Sequence, residues 1–449
     1  ISYSLNAKTS LPLAPMDSVE SEIVNVIEEV QIEATRTNRS IANVPTRTEV
    51  LTEEIDEAAS MEPSRIAHLL THSTGIQVQT TSATSNGSVV RIQGLNGRYT
   101  QLLKDGFPMY GGFSGSLDVM QIPPLDLRQV EYIKGSASTL YGGGAIGGLI
   151  NLLSKRPTNE QLLHINRSSI GASDLNLFLS KQKGSWGYTT LISRHRHQIY
   201  DADEDGFSDV PGIEKWNLHS KVFFRLNPKM DGWIGVQVQN EDRAGGDLEA
   251  LSTLLPTETH FYVDQQSSRR IGSQATLSYQ ISNGGKLTLK NALNHFERTV
   301  QIQSKYGLKP LHCSGQQSNS YSELNYFQSR DNSSLNMGVN MVTDAFAENP
   351  PVSTQNLRNQ SLQTAGSYAN LLADLGQRWS LESGLRLDFV KASSSLSIGG
   401  QEWFLLPRIN ALYRASRKFT YRLGGGFGYR MPTIFNEESE PLGYQGIQP

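Results

Sequence analysis

Cysteine is nearly absent: Cys313 is the only one in 449 residues, which excludes an intrachain disulfide framework and any cysteine-cluster metal site. Long apolar runs are missing too. Hydrophobic residues make up 37% of the chain, the mean hydropathy is −0.39, and no stretch reaches the ~18 apolar residues that a membrane-spanning helix requires, so a helical membrane protein is excluded. A barrel is not, because only alternate residues of each strand then face lipid. Net charge is only −3, which gives no case for nucleic acid. Ile1 opens without a basic region and apolar core, so any export signal lies outside this numbering. The nine histidines fall into no zinc-ligand spacing, Cys313 sits in a polar segment without an identifiable base, and no catalytic constellation emerges.

What is present is glycine and tyrosine, 40 and 17 residues, the bias of a turn-rich β protein with interfacial aromatics. Composition changes twice along the chain. Residues 17–62 carry Asp17, Glu20, Glu22, Glu28, Glu29, Glu33, Glu49, Glu53, Glu54, Asp56, Glu57 and Glu62 against only Arg36, Arg39 and Arg47, so much of this stretch is expected to be an exposed, mobile leader. From Pro63 the pattern is mixed. Ile66, Leu69 and Leu70 at helical spacing predict a helix that Gly75 ends, and short β-prone runs follow at 76–79, 89–93, 100–104 and 130–133.

Beyond Pro157 the period becomes two. Trp216, Leu218, Val222, Phe224 and Leu226 alternate with Asn217, His219, Lys221 and Arg225; Trp379, Leu381, Leu385, Leu387 and Phe389 alternate with Ser380, Glu382, Gly384, Arg386 and Asp388. Phe419, Tyr421, Leu423, Phe427 and Tyr429 continue the theme. Short turns are expected at 183–185, 227–229, 283–285, 331–333, 375–377 and 416–417, and longer polar connections near 198–213, 243–265, 303–317, 343–358 and 392–401. Tight turns on one side and long loops on the other are the asymmetry of an outer-membrane barrel.

Three motifs sharpen this reading: Arg91-Ile-Gln-Gly-Leu-Asn-Gly97, Leu102-Leu-Lys-Asp-Gly-Phe-Pro108, and the run from Val130 through Ser138-Thr-Leu-Tyr-Gly-Gly-Gly-Ala-Ile146 to Asn151. In this order they resemble the plug of TonB-dependent outer-membrane receptors, and residues 138–146 resemble receptors from Bacteroidetes-type bacteria. Glycines at 142–144, 147 and 148 suit a domain that must approach other backbone closely. They match no nucleotide-binding fingerprint. The resemblance implies a mainly β protein: a small α+β plug domain inside an antiparallel transmembrane β-barrel, with about 13 of an expected 22 strands present, so that this chain is not expected to close its barrel. The implied division is a leader over 1–45, a plug over 46–157 and a partial barrel over 158–449.

Further implications follow from the resemblance. Glu28, Glu29, Val30, Gln31, Ile32, Glu33 and Ala34 look like the TonB box, which in this family pairs as an added strand with the periplasmic energy-coupling protein of the TonB–ExbB–ExbD complex. A small metal-chelate ligand is expected between plug apices and external loops, with Arg98, Tyr99, Tyr110 and Phe113 as candidate contacts, and outer-membrane lipid around the barrel. Ferric siderophore is the leading class and cobalamin the alternative, with a signal-transducing receptor and a passive porin ranked below them. Phe427-Gly-Tyr-Arg-Met-Pro432 resembles a mid-barrel signature of the family, and the lack of histidine over 433–445 counts against haem. Asp201, Asp203 and Asp205, followed by Gly206, open a candidate Ca2+ loop that resembles an aspartate-rich loop of cobalamin receptors, with Asp209 or a neighbouring loop at Asp242 or Asp247 completing its shell. His195 and His197 share one face of a strand and suit a haem-ligand role or a lumen-lining polar role equally.

Overall fold

A computed structural model describes residues 2–6, 33–36, 43–61, 66–82, 84–109, 122–253, 255–349, 358–395, 399–416 and 418–432. Two bodies of secondary structure nest together, a small mixed domain and a large antiparallel sheet around it.

The first strand, β1 (Ser2–Asn6), pairs with the edge of the large sheet, so the expectation of a leader over 1–45 does not extend to these residues. The plug follows with β2 (Thr48–Leu51), α1 (Glu54–Met61), α2 (Ala67–Thr71), β3 (Ile76–Ser82), β4 (Gly87–Ile92), β5 (Thr100–Lys104), β6 (Phe107–Pro108), β7 (Leu127–Lys134), α3 (Ser138–Tyr141) and β8 (Gly148–Ser154). Its five-stranded sheet runs β2-β7-β8-β5-β6, with β5 parallel to β8, and β3 and β4 form a separate hairpin. The stretch read as acidic leader contains α1, whose Ile55, Ala58 and Ala59 are buried while Glu54, Asp56 and Glu57 occupy the first turn, where carboxylates complement the helix dipole. Ile55 and Ala58 join Ile66, Leu69, Ile92, Tyr132 and Ile150 in the plug core.

Thirteen strands then run in sequence order: β9 (Glu160–Arg167), β10 (Ala172–Lys183), β11 (Trp186–His197), β12 (Gly212–Asn227), β13 (Met230–Gly246), β14 (Val263–Gln280), β15 (Gly285–Gln303), β16 (Leu311–Arg330), β17 (Ser333–Asn349), β18 (Asn359–Leu375), β19 (Trp379–Ser394), β20 (Gly400–Arg414) and β21 (Thr420–Gly426). Every neighbouring pair is antiparallel, and the order is linear from β1 to β21. All six expected tight turns fall between strand ends; Gly184 and Gly376 take positive φ there (58° and 68°), a conformation that costs glycine least. A fourth helix, α4 (Leu248–Thr253), lies in a long connection.

Outside faces carry Trp186, Ile192, Trp216, Leu218, Ile234, Leu293, Leu385 and Trp403, all exposed. The opposite parity is buried and polar, with Asn176, Asn217, Glu323, Glu382, Arg386 and Asp388. That division is what a sheet with lipid outside and a filled lumen inside requires. Two expectations need correction. Cys313 is not in a loop: β16 begins at Leu311 and Cys313 is buried within it. The run ending at Tyr429 is not one strand either, because β21 stops at Gly426 and Tyr429 turns inward to stack on Phe404, 4.0 Å between ring centroids, and to donate to Asp388 at 2.8 Å.

Candidate functional site: the plug and its contacts in the lumen

The plug meets the wall through charged and hydrogen-bonded groups. Lys104 binds Asp126 within the plug at 2.7 Å, and His219 on β12 reaches the same carboxylate at 3.1 Å. Lys221 pairs with Asp105 and also donates to the Ser154 hydroxyl at 3.0 Å. Phe107 packs edge-on against Trp233 and Tyr321 of the wall, at 5.7 and 6.1 Å. Across the lumen, Thr139 of α3 donates to the Leu406 carbonyl at 3.2 Å, and Gly142 lies so close to buried Arg386 that a Cβ there would stand 3.0 Å from its Nη2. The glycine run therefore does what its composition implies, admitting wall side chains against plug backbone.

The segment at 33–36 is pinned to both bodies. The Glu131 carboxylate on β7 accepts the backbone N–H of Glu33 and of Ala34, each at 2.7 Å, and further bonds from Gln129 (2.7 Å) and Asn151 (3.0 Å). Tyr141 donates to the Ala34 carbonyl at 2.8 Å. Burial pushes the Glu131 carboxyl up to about 7, against the pull of these donors. Two residues on, Arg36 crosses to the wall: its guanidinium lies 2.9 Å from Glu323 on β16, bonds the Tyr368 hydroxyl on β18, and covers the rings of Tyr141 and Tyr368 at 4.6 and 5.3 Å. Arg36 has φ of 56°, unusual for a non-glycine residue. Higher in the chain, Thr46 bonds Glu382 and accepts from Arg408 at 2.7 Å.

At the opposite end the β3–β4 hairpin tip reaches the long connections: Thr84 donates to Asp264 at 2.8 Å and Arg243 to the Ser85 carbonyl at 2.9 Å. This places the tip of the β3–β4 hairpin beside the strand ends that lead into a long connection.

A family model for the TonB-dependent receptor plug domain matches residues 40–149, and one for the TonB-dependent receptor-like β-barrel matches residues 215–443, about half of the chain. The chain belongs to the TonB-dependent receptor family. It is 29% identical over 313 residues to the ferrichrome outer membrane transporter/phage receptor of Escherichia coli K12, covering 66% of this receptor and 40% of that protein. It is 23% identical over 309 residues to the vitamin B12 transporter BtuB of Photobacterium profundum, 62% of this chain and 49% of that one. In fold it is similar to the siderophore receptor PirA from Acinetobacter baumannii, with a TM-score of 0.65 at 17% identity over 86% of this chain and 62% of that chain. The chain spans about half the length of the curated relatives it matches.

Of the receptor's expected site residues, Glu33 and Ala34 are docked as described, while residues 28–32 lie outside the described residues, as do Tyr110 and Phe113. Arg98 and Tyr99 sit together on a 3-10 turn, Arg98 exposed and Tyr99 half-buried, with the Asn96 side chain accepting from the Arg98 N–H at 3.0 Å. In the aspartate loop, oxygens of Asp201, Asp203 and Asp209 lie within 4.8 Å of one another, whereas Asp205 is outside that group and accepts the Phe207 N–H at 2.8 Å. The negative charge of Asp205, with that of Asp209, pushes the Asp203 carboxyl up. Asp247 is engaged elsewhere, capping α4 through Glu249 and Ala250 N–H groups at 3.0 Å and holding His260 at 2.9 Å. His195 faces the lumen and binds Asp174 at 2.6 Å.

Sequence reasoning missed Glu131, Arg36, Glu323 and Tyr368. Arg36, Glu131 and Glu323 showed in the sequence only as charges and Tyr368 as an aromatic, and none of these residue types names its partner.

Proposed function

We propose that this receptor imports a scarce small metal chelate across the outer membrane, driven by the TonB–ExbB–ExbD complex, and that it is not an enzyme. The observation that carries this reading is the double attachment at 33–36: the end of the candidate coupling segment holds a plug strand through Glu131 and the wall through Arg36, so force applied upstream is delivered where the plug is fastened. The aromatic and basic pair Tyr99 and Arg98, with Tyr110 and Phe113, belongs to the external ligand site in this scheme. Ferric siderophore is the leading substrate, supported by the ferrichrome relative and the siderophore-receptor fold. Cobalamin is the second reading, supported by the vitamin B12 transporter relative and by the three clustered aspartates, which offer the oxygen ligands Ca2+ takes.

Deletion of residues 28–34 from the full-length receptor tests the coupling. Uptake by a receptor-deficient strain should be abolished while chelate binding at the cell surface stays close to wild type. Uptake that survives the deletion overturns the assignment.

A further inference from the structure

Four neighbouring strands carry a row of polar side chains, three of them buried and Gln239 half-buried, with buried polar atoms that nothing among the described residues satisfies. Asn176 on β10, Ser193 on β11, Asn217 on β12 and Gln239 on β13 are successive cross-strand partners, so they stand side by side at one level of the wall. Asn176 and Ser193 are 0% exposed and Asn217 2%. Among the described residues neither amide atom of Asn176 or Asn217 has a hydrogen-bond partner, nor does the Ser193 hydroxyl or Nε2 of Gln239. The row faces the lumen, since the alternate residues Leu175, Ile192, Trp216 and Leu218 are exposed outside.

The levels above and below are closed. Asp174 and His195 bind each other above, while below, Phe178 and Leu191 pack on Ala59 and Leu125 of the plug and His219 binds Asp126. Buried polar groups in folded proteins find a partner, and where protein supplies none the partner is water or a bound solute. The four groups are neutral, and each side chain can donate and accept, so they match water, hydroxyl, amide and carbonyl groups; at the same level the row is flanked by buried His164 on β9 and buried Arg270 on β14. With strands ~4.8 Å apart, the row is ~14 Å wide, the width of a small molecule and more than a single water requires.

We propose that this row is a polar track on the lumen wall, holding ordered water at rest and taking the hydroxyl, amide and carbonyl groups of the imported solute as it passes between plug and β10–β13. The transport part rests on the import reading above; the hydration part does not. Two experiments on the full-length receptor separate them. In a Cys313→Ser background, Asn217→Cys should be modified by a small hydrophilic methanethiosulfonate reagent while Leu149→Cys, in the plug core, stays protected. Equal protection of both overturns the proposal. The variant Asn176→Leu, Ser193→Val, Asn217→Leu is then compared in cells given ferric hydroxamate, ferric catecholate, ferric citrate and cyanocobalamin. For whichever of these the wild type accumulates, surface binding should hold while uptake falls about tenfold or more, the rate effect of losing one or two hydrogen bonds along the path. Wild-type uptake rates in the variant overturn the track. A wild type that accumulates none of the four refutes the import reading and the transport part together, while cysteine modification still reports the hydrated row.

Discussion

Arg36 and Glu323, 287 positions apart in the chain, meet at 2.9 Å with side chains 8% and 1% exposed. Removing one partner of such a pair leaves a buried charge uncompensated, at a cost of about 3–5 kcal/mol, whereas removing both costs far less. Arg36→Met and Glu323→Gln should each lower the stability of the seated plug by that order in denaturant unfolding, and the double variant should recover most of it. Additive losses would show that the two do not act as a pair. A spin label at position 33 should gain mobility in either single variant.

Glu131 sets a pH dependence. Its folded-state pKa is about 7 against an ordinary 4.5, so the folded protein keeps a proton that the unfolded chain loses. Stability therefore falls as pH rises from about 4.5 to about 7 and levels off above. Glu131→Gln should flatten this part of the profile and, by removing one carboxylate oxygen from the bonds to Glu33 and Ala34, expose that segment to protease. An unchanged pH profile in the variant would contradict the assignment.

Gly142 has φ of 81° and ψ of −156°, a backbone region that only glycine adopts freely, and a Cβ there would press on Arg386 at 3.0 Å. Gly142→Ala should cost about 1–3 kcal/mol from backbone strain alone, seen as a lower unfolding midpoint with the barrel still inserted. A midpoint within error of wild type would mean that the run tolerates a Cβ.

For the aspartate loop we propose Ca2+ binding through Asp201, Asp203 and Asp209. In calorimetry on the intact receptor, Asp201→Ala with Asp203→Ala should abolish the calcium heat, while Asp205→Ala, outside the cluster, should weaken it less. Binding should weaken as pH falls, because the Asp203 carboxyl is already pushed up by Asp205 and takes a proton readily. Calcium binding unaltered by the double substitution would sink the site.

Much of this fold was legible in the sequence because the barrel repeats one local rule. Period-two alternation marks β12 and β19 where greasy residues face lipid, and all six tight turns carry their own chemistry, as at Gly184 and Gly376. The rule fades in β16, where Gln316 and Ser318 on the exposed face and Gln317 and Asn319 on the buried face are all polar, so its upper end and Cys313 read as loop. Helix α1 was hidden because Ala58 and Ala59 bury little apolar surface beside Glu54, Asp56 and Glu57. Arg36–Glu323 and the Glu131 clasp are pairings between distant segments, and no local pattern encodes which charge meets which.

The most direct measurement is uptake of radioiron chelates and labelled cobalamin by a receptor-deficient strain expressing the full-length receptor, with and without a protonophore. Accumulation of at least one of these that stops when the proton gradient is collapsed, with surface binding retained, is the predicted result; accumulation indifferent to the protonophore, or steady conductance of the purified receptor in liposomes with no energy source, would contradict it.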